Sequence, residues 1–317
     1  MDSIEPQSAV HNLDETAQLM RHATYASLAV ALTLIGAKAF AWALSDSVSL
    51  LATLIDSTLD ALASLLNLIA VRTALSPADK QHRFGHGKAE ALAGLGQSAF
   101  VAGSAGFLLL ESARRIVNPV PIDAPGLGIA VVVFSIVATL CLILYQQYVI
   151  NKTNSTAIKA DALHYRTDLM VNISVIAALW LSYKGWAGFD GLFALGIAVY
   201  ILYSAWEIVK QSLDDLMDRE LPDEERENIR SIAVANEEVR GMHDLRTRRS
   251  GIDTFMQLHL ELDDHLNLLQ AHRISDQVES SLQTAYPTAE IIIHIDPVSV
   301  VPDEPVPGFL QDEEPRS

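Results

Sequence analysis

Asp56-Ser57-Thr58-Leu59-Asp60 and His164-Tyr165-Arg166-Thr167-Asp168 each set two metal-capable side chains four residues apart. Each pair lies inside a long, mostly apolar segment, where an ionised group is costly. Positions i and i+4 share one face of a helix. Two such helices packed together turn three carboxylates and one imidazole toward a common centre. That is a four-ligand nitrogen and oxygen site, Asp56, Asp60, His164 and Asp168, set within a membrane. The fold class expected from it is an all-α membrane domain.

Composition agrees. Of 317 residues, 50% are hydrophobic and 19% charged, fewer charges than the quarter usual in soluble proteins. The charges are unevenly placed: from Ala23 to Leu44 the sole one is Lys38. A net charge of −17 argues against nucleic acid as a partner. The acidity gathers at the N-terminus, in Asp214 to Glu227 and in Asp303 to Glu314, and reads as solvated surface. The single cysteine, Cys141, leaves no internal disulfide and no multi-thiolate metal site. The first 20 residues are polar, with Asp2, Glu5, Asp14 and Glu15, and lack a basic n-region, so no cleaved signal peptide is expected.

A spanning helix needs about 20 mostly apolar residues. Six segments qualify, roughly Ala23–Leu44, Val48–Thr73, Ala89–Arg114, Gly126–Val149, Ala157–Tyr183 and Phe189–Val209. The third and fifth carry polar residues and are expected to score less well on hydropathy. Pro77, Pro119, Pro121, Pro125 and Pro222 all fall in connections, where proline belongs. With the N-terminus inside, nine Lys and Arg near helix ends lie on the inner side and three on the outer, Arg114, Arg115 and Lys184. The positive-inside rule then puts both termini in the cytoplasm. Lys38, inside the first helix, is expected to snorkel or to pair with an acid such as Asp46.

After Val209 the hydropathy drops. Pro222-Asp223-Glu224-Glu225 opens a helix with an acidic first turn, running to about Asn236. Strands follow around His243–Arg248 and Thr254–Leu262, then a helix over Leu266–Ala285 and a last strand over Glu290–Asp296. In the second strand Met256, Leu258, Leu260 and Leu262 alternate with Phe255, Gln257, His259 and Glu261. The order αββαβ is a small two-layer α+β domain. The domains expected are a polar segment over 1–20, a six-helix transmembrane domain over 21–210, a cytoplasmic metal-binding domain over 211–300 and a disordered acidic tail over 301–317.

A charge at the bilayer midplane costs about 2.5–3.5 kcal/mol on insertion scales. Asp60 and Asp168 both fall near that depth, so four titratable groups there need a reason. Three carboxylates and one imidazole suit Zn²⁺, with Cd²⁺ or Fe²⁺ also compatible, whereas the lack of sulfur argues against Cu⁺. Metal binding needs deprotonated ligands and so releases protons. A site open alternately to each side would exchange metal for protons. Ser64, Asn67, Asp161 and Asn172 extend the polar faces of the two helices. Asp161 and Asn67 are expected to line a cytoplasmic mouth.

These residues resemble the cation diffusion facilitator family of divalent-metal/proton antiporters, in particular its bacterial zinc- and iron-efflux branch. The resemblance runs from about Arg21 to Pro302. It rests on Asp56/Asp60, on Ala160-Asp161-Ala162-Leu163-His164 with Asp168, and on Phe84-Gly85-His86-Gly87-Lys88-Ala89-Glu90. His243 through Gly251 and Ile293-His294-Ile295-Asp296-Pro297 complete it. The resemblance implies a homodimer, six helices per protomer and a metallochaperone-like cytoplasmic domain. The family's transport site falls on Asp56, Asp60, His164 and Asp168. Asp79, His82 and His86 match a loop metal site, which spacing alone leaves undecided against an ordinary solvated loop. His243, His259, His272, His294 and Asp296 match a binuclear zinc site that Asp296 could bridge, so Zn²⁺ is implied both as cargo and as a structural or regulatory ion. Where family members often have Gln between the last His and Asp, this chain has Ile295, which strand alternation turns toward the core. Lys88 and Asp218 match a charge interlock near the family's dimer interface.

Other classes fare worse. An intramembrane aspartyl protease needs Gly-x-Gly-Asp, which surrounds none of the membrane aspartates. His-Glu-x-x-His is absent, as is the Gly-x-x-x-x-Gly-Lys-[Ser/Thr] loop of ATP-driven pumps. A membrane-anchored metal sensor without transport has no use for a site at the midplane. No histidine-rich tract lies between Ile150 and Thr156, which favours a bacterial inner-membrane exporter. The expected protein is therefore a secondary transporter rather than an enzyme, with metal ions, protons, lipid and its own second copy as partners.

Overall fold

The structure, a computed structural model, describes residues 6–45, 48–117, 126–183 and 189–301. The acidic tail beyond 301, Asp46, Lys184 and the side chain of Asp56 lie outside the described residues. Six helices come first: α1 (Pro6–Ser45), α2 (Val48–Ala74), α3 (Lys88–Val117), α4 (Gly126–Thr153), α5 (Thr156–Tyr183) and α6 (Phe189–Leu216). After them come α7 (Asp223–Ala233), β1 (Gly241–Ser250), β2 (Asp253–Leu262), α8 (Leu268–Ala285) and β3 (Ala289–Pro297). The chain divides into a helical unit, Asp14–Leu216, and a smaller unit that holds the α+β elements from Met217 on and groups with the first residues up to Leu13.

α1 reaches back into the segment expected to be merely polar. Pro6 suits a first helical position, and the Ala, Gln, Leu and Glu that follow are good helix formers. Among the described residues, three stretches are long and apolar enough to cross a membrane, Glu15–Leu44, Lys88–Arg114 and Ala130–Thr153. The third helix passes with the lowest mean hydropathy of the three, 1.4, as its polar residues led one to expect, and its charges Lys88, Glu90, Glu111 and Arg114 sit toward its ends. α5 does not, because Lys159, Asp161, Arg166 and Asp168 crowd its first half. Phe40, Leu66, Leu110, Tyr203 and Trp206 are exposed on the helical unit. Acyl chains, not water, suit such a surface.

Inside, the helices bury polar and small groups. α3 packs extensively on α6, and α5 lies against α2, α3, α4 and α6. Gly94 permits one close approach: a Cβ there would lie 2.8 Å from Ser212 Oγ and 2.9 Å from Thr156 Cγ2. The start of α5 is held from two sides. Ile158 N donates to Ser155 Oγ at 3.2 Å, and Ala157 N donates to the buried Glu90 carboxylate of α3 at 3.4 Å. First-turn amides have no intrahelical partner, so these acceptors anchor the helix that carries His164.

In the second unit β2 is central, antiparallel to β1 and parallel to β3. Gly251, with φ 63°, opens the two-residue turn between β1 and β2, as primed hairpin turns require. Alternation turns Met256, Leu258, Leu260 and Leu262 onto one face, where Ile229 of α7 and Ile274, Val278 and Leu282 of α8 cover them. Ile291, Ile293 and Ile295 of β3 join the same core. Asn267 caps α8 in a capping box with Gln270. The opposite face of the sheet carries His243, His259 and His294.

Candidate metal centres

A tetrahedral zinc with bonds of about 2.0–2.1 Å holds its donor atoms about 3.3 Å apart. Three clusters approach that geometry, each with ligand atoms within 4.8 Å of one another.

The first is in the helical unit. His164 Nε2 lies 3.0 Å from Asp60 Oδ1 and 3.8 Å from Asp168 Oδ2. Asp60 comes from α2, and His164 and Asp168 from consecutive turns of α5. Asp56 sits one turn before Asp60 on α2, with its side chain outside the described residues. His164 is only 5% exposed. Two cavities meet at Asp60 and Asp168. One of about 220 Å³ is lined also by Lys38, Ser57, Tyr165 and Asn172. The other, of about 600 Å³, is lined also by Phe100, Phe107, His164 and Thr167.

Beside this cluster Lys38 reaches α2: its Nζ donates to Thr53 O at 3.3 Å and to Ser57 Oγ at 2.5 Å, while the acid expected to pair with it, Asp46, lies outside the described residues. Asp161 and Asn67 do not line a mouth, since each is 1% exposed. Asp161 accepts from Ser27 of α1, from Gln97 Nε2 of α3 at 3.0 Å and from Gln146 Nε2 of α4 at 2.7 Å. The next turn of α5 adds Tyr165, which donates to Ser27 O at 3.2 Å and shares a 2.9 Å hydrogen bond with Ser64 Oγ of α2. One stretch of α5 is thus tied by polar contacts to all four preceding helices. Tertiary packing makes this network, and spacing alone does not reveal it.

The second cluster is the loop between α2 and α3. Asp79 lies 3.4 Å from His82 Nδ1 and 3.5 Å from His86 Nε2. Its carboxylate accepts from the amides of His82 at 2.6 Å and Gln81 at 2.8 Å. Those amide bonds hold it below the usual carboxylate range, so it stays an anion ready to ligate.

The third lies on the sheet face opposite the core. Register pairs His243 with His259 and His259 with His294, so three imidazoles form a row across the strands. Their ring centroids are 5.0 and 4.6 Å apart. Asp296, 4% exposed, reaches them with both oxygens. Oδ2 lies 2.7 Å from His259 Nδ1 and 3.7 Å from His243 Nε2, and Oδ1 lies 3.1 Å from His294 Nε2. Nitrogen and oxygen donors of this kind suit zinc, and the two oxygens of Asp296 face different imidazoles. Within one chain His272 stands apart from this row. It lies on α8, which packs on the opposite, core face of the sheet, and it faces Asp276 at 3.4 Å.

Glu261 is a site residue that the motifs do not mark. It lies 2.9 Å from His243 Nδ1, which leaves Nε2 for a metal. The available signal is its place two residues beyond His259 on the same strand face. Gly241, directly opposite, makes room, because a Cβ there would overlap the Glu261 carboxylate. Asp244, with φ 44° at an irregularity in β1, lies 3.8 Å from His259 Nε2.

The two interlock positions are placed as follows. Lys88 Nζ donates to Leu216 O at 3.3 Å. Asp218, with φ 58°, faces Arg248 Nη1 at 3.4 Å.

Comparison with known proteins agrees with this architecture. Residues 24–217 match the cation efflux transmembrane domain, and residues 221–298 match the cation efflux protein cytoplasmic domain. The chain is 50% identical over 285 residues to the cation-efflux pump FieF of Klebsiella pneumoniae subsp. pneumoniae, covering 90% of this chain and 95% of that protein. It is 49% identical over 287 residues to the FieF of Salmonella arizonae, covering 90% of this chain and 96% of that one. A helical membrane unit built around a buried acid–histidine cluster, joined to an αββαβ unit, places this chain in the cation efflux family, the cation diffusion facilitators, as an integral membrane transporter.

Proposed function

We propose that the chain exports divalent metal, Zn²⁺ first and Cd²⁺ or Fe²⁺ as well, from the cytoplasm in exchange for protons. The observation that carries this is the Asp60–His164–Asp168 cluster between two cavities. Asp56, one turn before Asp60, supplies the fourth ligand. The donor set suits Zn²⁺. Loading such a site displaces protons from its ligands, so a site that faces each side in turn couples the two fluxes without ATP. The carrier is a secondary transporter working by alternating access.

In this reading residues 21–210 carry the translocation path and residues 211–300 the metal-binding domain. The chain works as a homodimer in the bacterial inner membrane with both termini in the cytoplasm. The excess of Lys and Arg on that side supports the orientation. Lys88 and Asp218 interlock near the dimer interface. Asp79, His82 and His86 hold a weaker loop ion, having three protein ligands. His243, His259, His294 and Asp296 hold structural or regulatory Zn²⁺.

The test is transport. Purified protein in liposomes holding a metal-sensitive dye should accumulate Zn²⁺ under an imposed pH gradient. Collapse of the gradient should stop it. Absent or pH-indifferent flux overturns the antiport reading. Rates compared across Zn²⁺, Cd²⁺, Fe²⁺ and Mn²⁺ decide the cargo.

A further inference from the structure

We infer that Lys38 is a tethered counter-cation of the transport cluster, which holds the empty carrier's charge in balance and opposes the bound metal. This rests on the transport reading above.

The placement carries the inference. Lys38 lines the 220 Å³ cavity together with Asp60 and Asp168. It is held there by α2: Thr53 O and Ser57 Oγ accept from its Nζ. Ser57 is buried and lies between Asp56 and Asp60 in the sequence, about 4.5 Å along the helix axis from Asp60. A lysine that only anchored α1 at the membrane surface would run along the helix toward headgroups. Lys38 instead crosses to the helix that bears the acidic ligands.

An ammonium in this position has two effects. In the metal-free carrier it offsets part of the negative charge of the Asp60 and Asp168 carboxylates, which lowers the cost of the return step through lipid. In the loaded carrier it repels the divalent ion across a shared low-dielectric cavity, which weakens binding and speeds release. Neither effect needs Lys38 to touch the metal. It acts through the charge of the site and is a positioning residue in that sense.

The test compares wild type, Lys38→Gln and Lys38→Arg by initial Zn²⁺ uptake into liposomes across a range of metal concentrations. Lys38→Gln is expected to lower KM and the maximal rate together, each by about tenfold for a charge lost from the same cavity. Lys38→Arg, which keeps the charge, is expected to restore both. A purely structural lysine would lower the rate without tightening binding. Zn²⁺ affinity in detergent, by titration calorimetry on monodisperse protein, reads the same effect without flux and should rise in the Gln variant. If that variant does not fold, Lys38→Met is read in its place. Unchanged or weaker Zn²⁺ affinity, or an Arg variant that behaves like Gln, overturns the inference. Wild-type flux that ignores the pH gradient sinks the antiport reading instead and leaves the affinity comparison standing.

Discussion

His164 Nε2 lies 3.0 Å from Asp60 Oδ1, and this contact joins α5 to α2 across the centre of the helical unit. It makes a metal-sized cluster out of residues 104 positions apart. Asp168 closes the cluster from the next turn of α5 at 3.8 Å.

Replacing Asp60 or Asp168 by Ala removes one donor from a set of few. Even partners behind the ligands change metal affinity by about 10–100-fold, so loss of a ligand should cut Zn²⁺ flux by at least about 100-fold. Uptake by dye-loaded liposomes measures it. Wild-type rates in either variant would remove this cluster from the transport path.

Glu261 orients His243 from 2.9 Å. Glu261→Ala should weaken Zn²⁺ binding at the sheet by about 10–100-fold. Gly241→Ala should act in the same direction, because its new Cβ displaces the Glu261 carboxylate. Zinc competition with a chelator, run in an Asp60→Ala background to silence the membrane cluster, isolates the effect. Unaltered affinity in both variants would show that Glu261 is not a support for His243.

Asp161 takes hydrogen bonds from α1, α3 and α4. Asp161→Leu orphans three buried donors, each at about 1–3 kcal/mol. The solubilised protein should unfold several degrees lower and lose transport. Asp161→Asn keeps the shape and one carbonyl acceptor and should lose less. Thermal unfolding in detergent, followed by tryptophan fluorescence, compares them. Equal stability of all three proteins would mean that the network does not hold the helices.

Asp253 enters β2 partly buried, and burial first, then the charge of Glu290, push its carboxyl above the usual range. The sign follows from linkage. A group whose folded pKa is raised stabilises the fold at pH below its unfolded value, and that contribution is lost as pH rises through the folded value. At neutral pH the carboxylate therefore costs stability. Asp253→Asn should raise the unfolding temperature of the α+β unit at pH 7 by roughly 1–3 °C. The gain should vanish below the usual Asp range, about pH 3.9. A gain independent of pH would assign the effect to packing.

Much of this protein is written in short-range pattern. The six apolar segments, the i, i+4 pairs and the alternation of Met256 to Leu262 against Phe255 to Glu261 are periodicities of single elements. So is the inward turn of Ile295, which packs with the core. Periodicity shows which face of a helix or strand a residue occupies, because side-chain direction repeats with the backbone. It does not show what that face meets. That Asp161 is sealed by Ser27, Gln97 and Gln146, that Lys38 crosses to Ser57, and that His243, His259 and His294 form one row depend on helix packing and strand register. Nor could spacing tell that α8 carries His272 to the far side of the sheet. The sequence by itself determined which residues could bind metal and in which element each stands. Only the tertiary structure decided which of them meet, because contacts between distant segments are set by how whole faces pack.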